Sequence, residues 1–278
     1  MSVLSRNNVT LAGCTDHAAR TMVFAHGYGC DQHMWRFITP AFADDYRLVL
    51  FDHVGAGQSD LGAYDRLKYS SLHGYAADVL QICNELGVRD GIFVGHSVSA
   101  MIGILAAIQD PDVFSYLILL GPSPRYINDD GYIGGFDRAS IESLLDFQDS
   151  NYLGWSRTMA PTILGNPDRP DLGDELTNSF CRTDPDIAKQ FAAVVFLSDN
   201  RSDLPNVTTP TLIIQTQEDS IAPPRVGQYV HDHLAGSELA VIDAIGHCPH
   251  LTNPETTIAA MKAYLKRHWN GAPTPTSG

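Results

Sequence analysis

Six short runs of apolar residues, separated by helical segments, constrain the fold of this chain more than any other feature. They span 22–25, 48–51, 91–94, 116–120, 212–215 and 239–242. The runs are almost continuously apolar and do not alternate with polar residues, which is typical of strands that helices cover on both faces. Strands and helices in this order predict an α/β fold with a mostly parallel, doubly wound sheet.

Helical patterns fill the intervals between these runs. They cover 75–86, 97–109, 223–234 and 254–269. The apolar residues of the first segment share one stripe, and Gly87 then supplies a stop signal. The second segment is small and apolar almost all round, which predicts a buried helix. Pro223 and Pro254 open the last two segments, at a position where a missing backbone N–H has no cost.

The alternation of strands and helices is interrupted between residues 123 and 204. This stretch holds no good strand pattern and several helical segments, of which the clearest lie at 137–147, 151–159 and 184–198. We interpret residues 123–204 as a helical cap, inserted into a core made of residues 1–122 and 205–270. The tail 271–278 lacks periodicity, and we expect it to be disordered.

An acidic composition narrows the range of partners and compartments. Lys and Arg number 18 and Asp and Glu number 32, so the formal net charge is −14. Such a surface repels phosphate backbones and anionic lipids, which argues against nucleic acid and membrane partners. The five cysteines form no Cys-x-x-Cys pair, and the first residues lack the apolar run of a signal peptide. We therefore expect a cytoplasmic protein with reduced thiols and without a metal or other cofactor.

A serine stands where the apolar run 91–94 meets the buried helix that follows it. Ser97 lies between Gly95-His96 and Val98-Ser99. A sharp strand-to-helix turn lifts such a hydroxyl out of the sheet and requires small residues on either side, as found here. An ordinary turn that happens to contain serine has the same pattern, so the motif alone leaves both interpretations open.

A nucleophilic serine needs a histidine as its base and a carboxylate that orients the histidine. In enzymes built on this turn the chain order is serine, acid, histidine. Asp219 follows the strand 212–215, and His247 follows the strand 239–242. Because such sheets build their sites at the carboxyl ends of strands, we predict Ser97, Asp219 and His247 as a catalytic triad.

Five other side chains are alternatives for the acid or the base. Glu218 and Asp243 could be the acid, and His250 could be the base. Asp243 also suits a solvated turn, and His250 also suits packing beside its apolar neighbour. His26 and His96 are weaker candidates for the base. His96 lies at a turn position whose side chain points away from the site.

Acyl transfer also needs N–H donors for an oxyanion. One donor comes from the residue after the nucleophile, which is Val98. The other comes from the loop after the first strong strand, which reads His26-Gly27-Tyr28-Gly29. We therefore predict the N–H groups of Tyr28 and Val98 as the donors, although the two glycines would also suit a simple tight turn.

Four segments together resemble one subfamily of hydrolases. They are 26–32, 52–55, 95–103 and 123–126. The subfamily contains the bacterial stress-regulator hydrolase RsbQ and the plant karrikin and strigolactone receptors, and the similarity runs from about residue 7 to residue 269. The sequence GHSVSA, with serine where glycine is usual, is more specific to this subfamily than the general turn motif. The resemblance implies an α/β-hydrolase fold with the same triad.

The resemblance also implies a cap of four helices that makes a V over an apolar pocket. A pocket of this kind has a volume of about 300–1,000 Å³. Its expected lining residues are Tyr28, Val98, Phe136, Trp155, Met159 and Phe196. Tyr28 stands where phenylalanine is common in the subfamily and Met159 where an aromatic residue is common, so we expect an altered pocket outline.

Two functions share this set of residues. The first is an esterase or lactonase that cleaves a small hydrophobic compound through an acyl-enzyme. The second is a ligand sensor with slow hydrolysis, whose cap binds a regulatory protein such as the phosphatase bound by the bacterial relatives. Dehalogenases and epoxide hydrolases of this fold use aspartate as nucleophile, which Ser97 argues against, whereas carbon–carbon bond hydrolases that use serine remain an alternative.

Overall fold

In the computed structural model, which describes residues 2–16 and 18–268, seven strands form a single sheet. The strands are β1 (Thr10–Gly13), β2 (Thr21–Ala25), β3 (Arg47–Phe51), β4 (Gly91–His96), β5 (Phe114–Leu120), β6 (Thr211–Glu218) and β7 (Ser237–Ile245). Their order is β1-β3-β2-β4-β5-β6-β7, and every neighbouring pair except β1 with β3 is parallel. The predicted mostly parallel α/β sheet is confirmed, and each of the six apolar runs lies within a strand.

Strand β1 has no counterpart among the predicted strands. It pairs antiparallel with β3 at the edge of the sheet, and all four of its residues are exposed. A search for buried apolar runs cannot find a strand of this kind, because backbone pairing rather than side-chain burial defines it.

Helices of the described residues pack on both faces of the sheet and also form the stretch between β5 and β6. They are α1 (Val3–Arg6), α2 (Leu72–Glu85), α3 (Val98–Gln109), α4 (Arg138–Ser150), α5 (Tyr152–Leu164), α6 (Pro170–Arg182), α7 (Pro185–Phe196), α8 (Pro224–His233), α9 (Pro249–Thr252) and α10 (Pro254–His268). Alternate residues of β2 face opposite sides, as strand geometry requires. Val23 packs in an apolar cluster with α2 and α3, whereas Phe24 packs in a second cluster with α10.

Helices α4 to α7 form the stretch between β5 and β6. The three clearest predicted segments correspond to α4, α5 and α7, and the resemblance implied a fourth helix, which is α6. Its buried face consists of Leu172, Gly173, Leu176 and Phe180. Leu172, Leu176 and Phe180 are spaced by four residues along that face, a helical signal that sequence reasoning did not use.

The proposed division into a core (1–122 and 205–270) and a cap (123–204) stays a prediction, and the tail 271–278 lies outside the described residues. Within residues 2–16 and 18–268, no helix combines the length and the apolarity needed to cross a membrane.

Candidate active site

Ser97 occupies a strained turn between β4 and α3. Its backbone dihedrals are φ 56° and ψ −122°, a conformation that non-glycine residues rarely adopt and that is concentrated at functional sites. The backbone around it is tightly packed, since a Cβ at Gly95 would lie 2.6 Å from the carbonyl oxygen of Ser99. The Ser97 N–H donates to the carbonyl oxygen of Leu120 at 2.8 Å. Strand, turn and helix thus hold the serine at the carboxyl end of the sheet.

The loops after β6 and β7 bring two further side chains to this serine. The Nε2 atom of His247 lies 2.8 Å from Ser97 Oγ, and its Nδ1 atom lies 2.7 Å from Asp219 Oδ2. The three side chains are buried. Because a carboxylate only accepts, the His247 Nδ1–H donates to Asp219, which leaves Nε2 to accept the serine proton.

The Asp219 carboxylate is held by backbone donors as well as by His247. Its Oδ1 atom accepts from the N–H groups of Ile221 at 2.8 Å and Ala222 at 2.9 Å. Burial by itself would raise the pKa of Asp219, but the neighbouring His247 and these hydrogen bonds together hold the pKa below its ordinary value. The carboxylate is therefore ionised at neutral pH and can stabilise a positive charge on His247.

The alternative acids point elsewhere. Both Glu218 and Asp243 are exposed. The backbone carbonyl oxygen of Glu218 accepts from the Gly246 N–H, and that of Asp243 accepts from the Asn253 side-chain amide. The structure therefore brings Asp219, and neither alternative, to the histidine.

The alternative bases are buried in other surroundings. The His250 ring packs at tilted angles against Trp35 and His96, and neither of its ring nitrogens has a partner among the described residues. Burial lowers the pKa of His250 well below its ordinary value. His26 accepts from the His53 N–H at 3.0 Å, and His96 Nε2 lies 2.8 Å from the carbonyl oxygen of His247. The rings of His26, His96 and His250 thus pack around the site, and none of them takes the place of His247 beside Ser97.

The two predicted oxyanion donors lie on loops that touch each other. A Cβ at Gly27 would lie 2.5 Å from His96 Nδ1 and 3.4 Å from Ser97 Cβ, so only glycine lets the loop after β2 approach the turn this closely. Val98 is the first residue of α3, where backbone N–H groups have no partner within the helix. Neither the Val98 nor the Tyr28 N–H donates to another described residue, so both are available to a ligand.

A cavity of about 30 Å³ borders Ser97 and His247. Its remaining lining residues are Tyr28, Cys30, His96, Tyr126, Trp155, Met159, Ile163, Leu176, Phe180, Val195, Phe196, Ile221 and Cys248. The cavity is far smaller than the predicted volume, because the aromatic rings converge on it. Sequence reasoning missed Leu176 and Phe180, whose spacing by four residues on α6 was the available signal.

Four of the predicted lining residues border this cavity, and two do not. Val98 is buried in the core cluster beneath the turn. Phe136 lies on the loop before α4, where its backbone bonds to Tyr126 and Asn128. Phe136 is partly buried against the core cluster, and its place in the substrate pocket stays a prediction.

Tyr126 is an unpredicted member of the site. It lines the cavity, and burial raises the pKa of its phenol to about 12, although a hydrogen bond with the Ser97 side chain lowers it. The phenol is therefore neutral and next to the serine. The segment 123–126 had contributed to the family resemblance without any role for Tyr126.

One cluster in the described part of the chain has donor atoms close enough for a metal ion. His96, Cys248 and His250 are buried and offer donor atoms within 4.8 Å of one another. Burial lowers the pKa of His96 to about 3 and raises that of the Cys248 thiol, so the cluster is neutral. The His96 ring centre is 5.0 Å from that of His247. A cation here would oppose positive charge on His247.

Comparison with known proteins gives consistent results. A family model described as alpha/beta hydrolase fold matches residues 20–254. A probable esterase of Oryza sativa subsp. japonica is 41% identical over 246 residues, which cover 88% of this chain and 91% of the relative. The karrikin insensitive 2 receptor CA of Petunia hybrida is 39% identical over 264 residues, covering 93% and 95%. A strigolactone esterase of Arabidopsis thaliana is 39% identical over 267 residues, covering 96% and 97%.

A solved structure has the same fold over most of the chain. A hydrolase from Oleispira antarctica superposes with a TM-score of 0.92 at 40% identity, covering 95% of this chain and 96% of that one. The resemblance of the sequence to the karrikin and strigolactone receptor hydrolases is thereby confirmed.

Proposed function

The chain belongs to the α/β-hydrolase fold family, and from that premise we propose that it hydrolyses a small hydrophobic ester or lactone with Ser97 as nucleophile. The observation that carries the proposal is the buried chain of hydrogen bonds from Ser97 through His247 to Asp219. A strained serine, a base in hydrogen-bond reach and an ionised orienting carboxylate are the parts that acyl transfer needs.

The first half of the reaction forms an acyl-enzyme. Ser97 Oγ attacks the ester carbonyl carbon while its proton passes to His247 Nε2. The N–H groups of Tyr28 and Val98 donate to the oxygen that gains the negative charge. His247 then gives its proton to the leaving alcohol oxygen, and the carbon–oxygen bond of the ester breaks. With a lactone, the alcohol remains attached to the acyl group.

The second half releases the acid and restores the enzyme. A water molecule gives a proton to His247 Nε2 and attacks the acyl carbon, and the proton then returns to Ser97 Oγ as the acyl bond breaks. Throughout, Asp219 holds the imidazole in the tautomer with the proton on Nδ1. Its negative charge favours the imidazolium that forms in each half.

The cavity supports small substrates. A volume of about 30 Å³ is far below the roughly 300–1,000 Å³ typical of ligand pockets, so only a short acyl group enters without movement of side chains. The walls around it are largely apolar, which favours hydrophobic substrates over charged ones. Two of the relatives are named as esterases.

Hydrolysis of p-nitrophenyl acetate by the wild type and by Ser97→Ala tests the proposal. We expect the variant to keep its fold and to lose about 10⁴-fold or more of kcat. Near-wild-type turnover in the folded variant would remove Ser97 from the mechanism.

A second candidate function is ligand sensing, because a relative of similar length is named as a receptor. In this account, occupancy of the cavity shifts the balance between two arrangements of α4–α7, and a regulatory protein binds one of them. Arg138 and Glu142 form an exposed pair at 3.9 Å on α4. Exchanging their charges should leave ester hydrolysis intact and weaken the binding of a regulatory protein. Unchanged binding would exclude this surface as the site where the regulatory protein binds.

We further propose a reducing compartment such as the cytoplasm. The five cysteines are free thiols, and three of them are buried. Oxidising compartments favour paired cysteines.

A further inference from the structure

A buried glutamine interrupts the apolar face of α4. Ile141, Leu144 and Gln148 are spaced by three and four residues, so they share one stripe of the helix. Gln148 is 2% exposed, although an apolar residue would be expected at this place. A primary amide buried among apolar groups costs free energy unless it is hydrogen-bonded. The Oε1 atom has no partner among the described residues, so only the Nε2 atom is satisfied, by a single partner.

That partner is Tyr28, on the loop after β2 that carries a proposed oxyanion donor. The Gln148 Nε2 atom donates to the Tyr28 hydroxyl oxygen. The hydroxyl in turn donates to the carbonyl oxygen of Ala188 on α7, at 3.0 Å. A single phenol thus joins the core to two of the inserted helices.

The ring of Tyr28 stands among the aromatic side chains that line the cavity. Its centroid is 6.1 Å from that of Trp155, 5.9 Å from Phe180 and 6.3 Å from Phe196. The space left beside Ser97 is about 30 Å³. The position of this ring is therefore one of the features that limit how large an acyl group can lie in the cavity.

We propose that Gln148 is a positioning residue that restricts hydrolysis to esters of very short acids. It does so by fixing the Tyr28 ring across the cavity. This inference rests on the proposed function and adds the substrate class to it. An acyl group of several methylenes has to displace the ring, which breaks the bonds to Gln148 and Ala188 and leaves buried polar groups without partners.

The test compares p-nitrophenyl acetate, butyrate and hexanoate as substrates of the wild type, Gln148→Met, Tyr28→Phe and the double variant. The readout is the ratio of kcat/KM for hexanoate to kcat/KM for acetate. We expect this ratio to rise about tenfold or more in either single variant, since a few methylenes in a pocket discriminate by that much. The double variant should match Tyr28→Phe, because loss of the hydroxyl already removes the bonds to both Gln148 and Ala188.

Phe147→Met is the matched control, because it changes the neighbouring residue of α4, whose side chain is 38% exposed. Its ratio should equal that of the wild type. An equal fall of activity on all three esters, with an unchanged ratio in Gln148→Met and Tyr28→Phe, would reduce Gln148 to a structural role and overturn the inference.

A separate measurement distinguishes failure of the proposed function. If the wild type shows no Ser97-dependent hydrolysis of any of the esters, that function is wrong. Binding of 1-hexanol, followed by tryptophan fluorescence because Trp155 lines the cavity, then decides the inference alone. We expect tighter binding to Gln148→Met and Tyr28→Phe than to the wild type, and equal binding to all three would overturn it.

Discussion

The Nε2 atom of His53 lies 2.8 Å from Ser99 Oγ, the same distance that separates His247 from Ser97. The two pairs differ in what surrounds them. The Nδ1 atom of His53 has no partner among the described residues, and the Ser99 hydroxyl donates to the carbonyl oxygen of His26. Without a carboxylate and with its proton already engaged, Ser99 lacks the activation that a nucleophile needs. It instead ties the loop after β2 to the turn, which explains serine where glycine is usual.

We therefore expect opposite phenotypes for the two serines. Ser99→Gly should lower the free energy of unfolding by about 1–3 kcal/mol, because it leaves buried polar groups without partners, and should retain ester hydrolysis. Ser97→Ala should lose hydrolysis with little change in stability. Urea unfolding and p-nitrophenyl acetate turnover of both variants make the comparison, and loss of turnover in a folded Ser99→Gly would contradict it.

Two histidines that lie three positions apart, His247 and His250, should also behave differently. His247→Ala should lower kcat by about 10⁴-fold, as expected for a general base within a triad. His250 is completely buried against Trp35. His250→Leu should therefore change the midpoint of thermal unfolding. The folded variant should keep most of its turnover of the ester. If turnover were lost in His250→Leu and kept in His247→Ala, the base would be assigned to the wrong histidine.

The role of Asp219 is tested by Asp219→Asn. The amide can no longer hold the proton on His247 Nδ1, and the loss of kcat should be about 10⁴-fold with the fold retained. Asp243→Asn is the matched control, because Asp243 is exposed on β7, and its turnover should equal that of the wild type. Equal losses in the two variants would show that Asp219 has no special role.

Much of this site could be predicted from the sequence, because its parts are local. The serine turn and the loops with Asp219 and His247 follow strands that the apolar runs identify, so their meeting at one edge follows from the parallel sheet. The cavity could not be predicted in the same way. Its volume depends on how Tyr28, Phe180 and other rings pack in three dimensions, and the bond between Tyr28 and Gln148 joins residues that no local pattern relates.

The ion pairs that Asp199 forms after the end of α7 should be sensitive to acid. A hydrogen bond from Arg201 lowers the pKa of Asp199 to about 2, and Arg125 at 2.5 Å also donates to it. Because the pKa is depressed in the folded state, the stabilisation is present above an unfolded pKa of about 3.9 and is lost as the pH falls towards 2.

The expected effect of this network is small, since the Asp199 side chain is 34% exposed. The urea midpoint of the wild type should fall more steeply than that of Asp199→Asn between about pH 4 and pH 2. Parallel pH profiles of the two proteins would show that the network contributes nothing.

Covalent labelling of the nucleophile tests the central claim most directly. A fluorophosphonate reacts with an activated serine and mimics the tetrahedral stage of acyl transfer. Because the phosphonyl group stays covalently bound, peptide mass spectrometry can locate the labelled residue. We expect one adduct, on Ser97, which is absent from Ser97→Ala and formed far more slowly in His247→Ala. An adduct on Ser99 or on any other residue, or ester hydrolysis that survives complete labelling of Ser97, would contradict the account.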